Sequence, residues 1–300
     1  MLYPKVPYIP VPWPGGAQFA LFLSHDVDIL HQGHFFSQLG LLRRRKLGSF
    51  ARQLLWPAAA ESGFKEILSI EKKLAFRSTF FFLEDKTFSR YGGRYLFSDP
   101  HLLKIAAMIQ KAGGEIALQG AYNALNNKEN YLKEQNSFVK AFGQKAEGVR
   151  NHYLRHSGEK SWQAQAEAGF LYDATMGERF KVISPKAPAG PFFPLKNFPY
   201  FLAFPLTIMD VALFKQMAGK SYKETVTAAK ECCLKVIAAG GVVTLNFHNN
   251  YFADPEFSDR EALYNDLVHW LAGQKPWNGT GREIALYYRR KIMEISNENT

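Results

Sequence analysis

Apolar residues along this chain come in two patterns: short unbroken runs, and longer stretches in which they return every three or four positions. The runs are "FALFLSHD" (19–26), "STFFFLE" (78–84), "EIALQG" (115–120), "GVRNHY" (148–153), "LYDATM" (171–176), "LAFPLTI" (202–208) and "VVTLNFH" (242–248). Their length and bounding turn residues predict buried strands. Helical spacing covers 63–75, 100–113, 128–143, 158–169, 221–241, 259–273 and 282–295, and the stops "KAGG" and "AAGG" fall where a helix should be capped before a strand. Strand and helix alternating about seven times predicts an α/β fold with parallel strands and crossover helices, either a barrel or an open doubly wound sheet. With no internal repeat, low-complexity segment or clear linker, the chain reads as one domain over 1–300, with a proline-rich extension (1–18) wrapping the barrel and a basic insertion (31–62).

In both architectures functional groups collect at the carboxyl ends of the strands, so the polar residues where each apolar run stops carry the chemistry. The first run ends in His25, Asp26 and Asp28; the third in Gln119, with Tyr122 and Asn123 beyond; the fourth holds Arg150, His152 and Tyr153; the fifth Asp173; the seventh His248, Asn249 and Asn250. Aspartates at i and i+2 on a strand point the same way and crowd unless a cation or an arginine lies between them, or one binds a proton. Metal-activated hydrolysis uses such a pair, one carboxylate on the ion and the other taking a proton from the ion's water. A histidine opposite would protonate the leaving group and an arginine would hold the base ionised, and Asp26, Asp28, His248 and Arg150 can fill these roles between them, with either aspartate on the ion. Each has a plainer alternative as turn residue, cap or buried ion-pair partner. The aromatics Tyr122, Tyr153, Phe247, Tyr251 and Phe252 are either core or platforms for sugar rings.

Composition adds a large core, with 47% hydrophobic residues, and a formal charge of +10. The charge suits an anionic partner without choosing among nucleic acid, acidic glycan and membrane surface. Part of it is local, in "LLRRRKLGSFARQLLW" (41–56). That segment reads either as a helix touching a membrane through 43–56 or as a surface helix with a solvated basic side. Cys232 and Cys233 are adjacent, a poor geometry for a bridge. The start lacks the apolar core of a signal peptide, and no run of about 18 apolar residues occurs, which predicts a cytoplasmic protein.

Taken together and in order, these residues resemble the polysaccharide deacetylase family, also called the NodB-homology domain or carbohydrate esterase family 4. The likeness runs from about 19 to 252. "SHDVD" is similar to the family's first motif and implies Asp26 as general base and Asp28 as metal ligand. "GGEIALQGAYNAL" falls where the second motif lies, "GVRNHY" resembles the third, implying Arg150 as the residue orienting the base, and "GFLYDATMG" the fourth, implying Asp173 as the carboxylate that tunes the last histidine. "GGVVTLNFHNNYF" resembles the fifth and implies His248 as general acid. The resemblance further implies an irregular (β/α)7 barrel and removal of an N- or O-acetyl group from a glycan or glycolipid in surface-polysaccharide assembly. It also implies a divalent metal, zinc first, and a carbohydrate or lipid-linked glycan as partner, contacted by Tyr122, Tyr153 and Asn249, with no nucleic acid.

The second motif departs from the family form. The two metal-binding histidines are replaced by Gln119 and Asn123, and amide oxygens are weak ligands for zinc beside imidazole. His152, where the family usually has proline, is placed to reach the site from the fourth strand as a candidate ligand, and His25 is a further candidate although strand alternation turns it away from Asp26. Three readings follow: a working hydrolase whose metal is held by Asp28 with Asn123, Gln119, His25 or His152; a metal-free pseudoenzyme that binds carbohydrate without turnover; and a metal-free enzyme using Asp26 and His248 as an acid/base pair.

Overall fold

A computed structural model describes residues 8–30, 61–84, 95–178, 182 and 187–298. The basic segment 41–56, and with it the reading of a membrane-facing helix, lies outside the described residues. The strands are β1 (Ala20–Val27), β2 (Ser78–Phe82), β3 (Glu115–Gly120), β4 (Gly148–Asn151), β5 (Tyr172–Asp173), β6 (Leu202–Ala203), β7 (Ile208–Met209), β8 (Val242–Asn246) and β9 (Trp277–Asn278). The helices are α1 (Ser62–Lys73), α2 (Pro100–Lys111), α3 (Lys128–Phe142), α4 (Glu159–Glu167), α5 (Asp210–Gln216), α6 (Tyr222–Ala238), α7 (Ser258–Gly273) and α8 (Gly281–Glu298). All named strand pairs are parallel, in the order β6-β5-β4-β3-β2-β1-β8-β7, with β9 added beside the start of β1.

This is the curled parallel sheet of an irregular α/β barrel, with its seam between β6 and β7. The apolar run at 202–208 is two strands rather than one, because Pro205 interrupts it and has no N–H for a ladder. Two short elements, α5 and β9, escape the sequence pattern, since two turns or two residues show no periodicity.

Alternation along each strand sorts side chains between two layers. Ala20 and Phe22 of β1, with Phe81, Ala117, Tyr172, Leu202, Phe204 and Val242, fill the barrel interior. Leu21, Leu23 and Val27, with Phe80, Phe82, Leu118, Val149, Val243, Leu245 and Phe247, face outward into the layer shared with the helices. Phe22 meets Tyr172 and Phe204 edge-on at centroid distances of 6.1 and 5.3 Å. This aromatic plug fills the lower barrel, so the even-numbered residues that continue the inward row of β1, namely Ser24, Asp26 and Asp28, emerge above it.

The bottom is closed by α8 and the proline-rich start. Trp13 stacks on Trp277 and Tyr287 and donates its indole N–H to the Gly240 carbonyl at 2.9 Å. The N-terminus of α8 enters so closely that a Cβ at Gly281 would lie 2.3 Å from the Tyr172 hydroxyl, which requires glycine there. The Gly281 N–H donates to Thr79 Oγ1 at 3.0 Å, and Arg282 N–H to Glu115 Oε2 at 3.0 Å. Thr79 and Tyr172 also donate to Glu115, at 2.8 and 3.1 Å. Burial is the largest influence on Glu115 and raises its carboxyl to about 7 against these donors.

Because the folded protein then holds a proton that the unfolded chain has lost, stability should fall as pH rises from about 4.5 to about 7, by up to about 2–3 kcal/mol. Urea unfolding at pH 5 and pH 8 should show this loss for the native chain and a flatter profile for Glu115→Gln. Equal slopes for the two proteins would rule it out.

Candidate active site

Asp26 is the best-determined group on the rim. Its Oδ1 accepts from Arg150 Nη1 at 2.8 Å and its Oδ2 from Asn246 Nδ2 at 2.9 Å, while its own N–H donates to Asn246 Oδ1 at 3.2 Å. Arg150 is fully buried; its Nη2 donates to Ser24 Oγ at 2.9 Å, its Nε to the Ala174 carbonyl at 2.9 Å, and its guanidinium lies 4.3 Å above the Phe81 ring. The arginine thus sits on the aromatic plug and turns its charge up to Asp26. A buried guanidinium whose three nitrogens are all engaged fixes a carboxylate in place.

Asp28, one step further along the same row, is the most exposed of the site carboxylates, with a side chain 30% accessible. Gln119 Nε2 donates to its Oδ1 at 2.9 Å, His152 Nδ1 lies 3.4 Å from Oδ1, and His248 Nε2 lies 3.8 Å from Oδ2. Burial opposes ionisation, but the charges of His152, when it is protonated, and of His248, together with the Gln119 amide, outweigh it and hold the carboxyl well below the usual carboxylate range.

His248 is held from behind by Asp210, the first residue of α5. Asp210 Oδ1 is 2.8 Å from His248 Nδ1, and its Oδ2 accepts the His248 backbone N–H at 2.8 Å. Burial disfavours the imidazolium, yet Asp210, by charge and hydrogen bond, and then Asp28 and Asp26, raise the histidine to about 10. His248 is therefore protonated at neutral pH, with Nε2–H directed to the rim. The ring of Tyr251 lies 5.7 Å from it and is covered by the Arg260 guanidinium at 3.8 Å.

At the end of β4 the chain turns sharply, with Tyr153 and Leu154 at φ of 61° and 50°, a left-handed region costly for residues with a Cβ. Asn151 compensates: its N–H donates to Thr175 Oγ1, its amide to the Arg155 carbonyl, and its Oδ1 accepts from Tyr131, at 2.9, 2.9 and 2.7 Å. The turn places His152 over Gln119 and Asp28. Tyr153 and Tyr122 pack edge to face at 5.9 Å beside it, and Arg155 covers Tyr122 at 3.9 Å, giving a half-buried aromatic wall at the rim.

Asp26, Asp28, Gln119, Arg150, His152 and His248 thus converge, and Tyr122 and Tyr153 border them. Four other expected site residues lie elsewhere. Asp173 does not touch His248: Tyr172 takes the inward position on β5, so Asp173 faces the helices, accepting from Trp162 Nε1 at 3.1 Å, Gln165 Nε2 at 3.2 Å and Thr175. The carboxylate on His248 is Asp210. His25 points outward, with Nδ1 2.8 Å from the Phe247 carbonyl and Nε2 3.0 Å from Glu71, in a buried network with Tyr264 and Ser78. Asn123 is exposed in the turn after β3, where its carbonyl accepts from Asn130, and no contact joins it to Asp28 among the described residues. Asn249 is 4% exposed and donates to the Ile29 carbonyl at 2.9 Å, tying the end of β8 to the loop after β1 rather than lining the rim.

Sequence reasoning missed Asp210 and Asn246. Asn246 carries a readable signal, since it shares the inward row of β8 with His248. Asp210 is a lone acid after an apolar run, and its pairing depends on the parallel register Met209↔Asn246 that sets it beside residue 248.

Among the described residues no three His, Cys, Asp or Glu side chains form a metal-ligand group. A ligand set that includes the Gln119 amide does fit a divalent ion. Asp28 Oδ1 and His152 Nδ1 lie 3.4 Å apart with Gln119 Nε2 2.9 Å from each, and Gln119 Oε1 is buried with no hydrogen-bond partner among the described residues. Donors around a tetrahedral zinc at its usual bond lengths are separated by about 3.3 Å.

No family model matches the sequence, and comparison with curated proteins gives no match. In three dimensions the chain is similar to a protein from Mycobacterium smegmatis assigned as a polysaccharide deacetylase, with a TM-score of 0.65, 17% identity and 95% of each chain covered. It is also similar to one from Pseudomonas aeruginosa PAO1 with the same assignment, at a TM-score of 0.62, 16% identity and 93% coverage of each chain. The fold is therefore the (β/α) barrel of the polysaccharide deacetylases, spanned over nearly the whole chain.

Proposed function

We propose that this chain is a hydrolase of the polysaccharide deacetylase class that removes an N- or O-acetyl group from a glycan or lipid-linked glycan. One observation carries the reading: a carboxylate fixed by hydrogen bonds from Arg150 and Asn246 shares the rim with a histidine that Asp210 holds toward its protonated form. A positioned carboxylate and a positioned imidazole on one rim are the base and acid that general acid–base hydrolysis uses. Asp26 takes a proton from the attacking water, and His248 Nε2 delivers one to the departing amine or alcohol. Tyr122 and Tyr153 offer faces for a sugar ring. Asp28, His152 and Gln119 would hold a divalent ion, which when bound supplies carbonyl polarisation and a more acidic water.

A second reading, carbohydrate binding without turnover, is favoured by the Gln119 amide, which holds Asp28 and His152 by hydrogen bonds where an imidazole would serve a metal better. Acetate release decides between them. The protein, supplied with zinc or cobalt, is expected to liberate acetate from at least one of N-acetylglucosamine oligomers, acetylated xylan and acetylated acidic glycans. Asp26→Asn and His248→Ala should each reduce the rate by about 10²–10⁴ while glycan binding persists. Binding of a glycan with no acetate released from any of them would establish the second reading.

A further inference from the structure

The contacts of Gln119 define what occupies the point between Asp28 and His152. The group of Gln119 that meets Asp28 Oδ1, at 2.9 Å, is the amide NH2, a donor facing an acceptor. Its second hydrogen faces His152 Nδ1 at 2.9 Å, a bond that requires the neutral tautomer with the imidazole proton on Nε2. A carboxylate oxygen and an imidazole nitrogen therefore aim lone pairs at one place, as they would around a cation, and the positive end of an amide dipole fills it. The atom of Gln119 able to ligate an ion, Oε1, is buried without a partner among the described residues, a cost set against the two bonds of the NH2 side.

We propose that Gln119 is an amide latch: in the ion-free protein its NH2 group bridges Asp28 and His152, and when a divalent cation enters, the amide turns about its terminal bond so that Oε1 joins those two side chains as a ligand. The terminal torsion of glutamine is soft, so the turn needs no backbone movement. It exchanges two hydrogen bonds for an ion bond and satisfies Oε1. Because the ion competes with the latch and gains only a neutral oxygen, affinity is lower than for an imidazole in the same place, and occupancy follows the free ion concentration. This inference rests on reading the rim as a hydrolase site.

Cobalt(II) titration of the full chain, followed by its visible absorption and by calorimetry, tests the latch. Chain folding is checked by thermal unfolding. The native protein should bind one cobalt saturably, Gln119→His at least tenfold more tightly, and Gln119→Ala at least tenfold more weakly, because a ligand is lost. Gln119→Glu, close to the native shape, should bind more tightly than the native protein, since a carboxylate cannot bridge to Asp28 but can hold the ion. Asn123→Ala should match the native affinity. In 1H–15N spectra, zinc should move the side-chain NH2 pair that disappears in Gln119→Ala. Equal or tighter binding by Gln119→Ala would show the amide to be only a plug and overturn the proposal, as would no cobalt bound by the native chain. Acetate release in a protein that binds no cobalt would sink the latch and leave the hydrolase standing; cobalt binding with the NH2 shift but no acetate release would do the reverse.

Discussion

Arg150→Met is expected to destabilise the protein by about 3–5 kcal/mol and to abolish acetate release. The magnitude follows from what is left behind. The guanidinium is fully buried and serves Asp26, Ser24 and the Ala174 carbonyl together, so methionine fills the volume above Phe81 but strands a carboxylate that is itself only 4% exposed. The cost is mainly that of an unpaired buried charge, not the net worth of the ion pair. The double variant Arg150→Met/Asp26→Asn, which removes that charge, should therefore be more stable than Arg150→Met alone, by at least about 1 kcal/mol of coupling in a double-mutant cycle. Denaturant unfolding of the four proteins measures this. A single-variant loss below about 1 kcal/mol would mean that solvent reaches Asp26 and that its position is not fixed from below. Arg150→Lys should rescue little, since one ammonium cannot reach three acceptors set around a planar fork.

The second large effect concerns Asp210→Asn. Burial alone would push His248 down; the carboxylate of Asp210 is the main reason it stands at about 10. An asparagine keeps the shape and one acceptor but removes the charge, so the imidazole should titrate several units lower, near or below the ordinary histidine value. At pH 8 the acid would then be mostly unprotonated. The alkaline limb of the kcat/KM profile should move to lower pH, and the rate at pH 8 should fall by about 10²-fold or more. Stability gives an independent check in chelator-treated protein. With its folded value raised from 6.5 to about 10, His248 contributes stability that is fully present below 6.5 and is lost as pH rises from there through 10. That decline, of a few kcal/mol, should flatten in Asp210→Asn. A His248 proton signal titrating at the same pH in both proteins would remove Asp210 from this role. Asp173→Asn is the matching control: its carboxylate lies against Trp162, Gln165 and Thr175, so the profile should keep its alkaline limb even where stability suffers.

The two aspartates contrasted by these experiments mark how much of the molecule is legible from residues alone. Period-two alternation needs no partner strand to be read, so "ALFLSHDVD" by itself assigns Ser24, Asp26 and Asp28 to one face and His25 to the other, and the structure puts them there. The runs of buried strand, the helices between them and the collection of polar groups at strand ends have the same origin, in local periodicity and capping. Asp210, by contrast, reaches His248 only because β7 lies beside β8 in a register that no local pattern encodes, and Asp173 fails to reach it because Tyr172 claims the inward position of a two-residue strand. His152 owes its place to a left-handed turn held by Asn151, while Asn123, in a turn with no sheet to orient it, stays outside. The sequence pattern therefore determined the parallel α/β class and the Asp26–Asp28 row, because these depend on local periodicity and on which way each residue faces along its own strand; the barrel itself came from the family resemblance. Only the tertiary structure decided which acid serves the histidine and which amide closes on Asp28, because those pairings depend on the register and turns that join strands far apart in the chain.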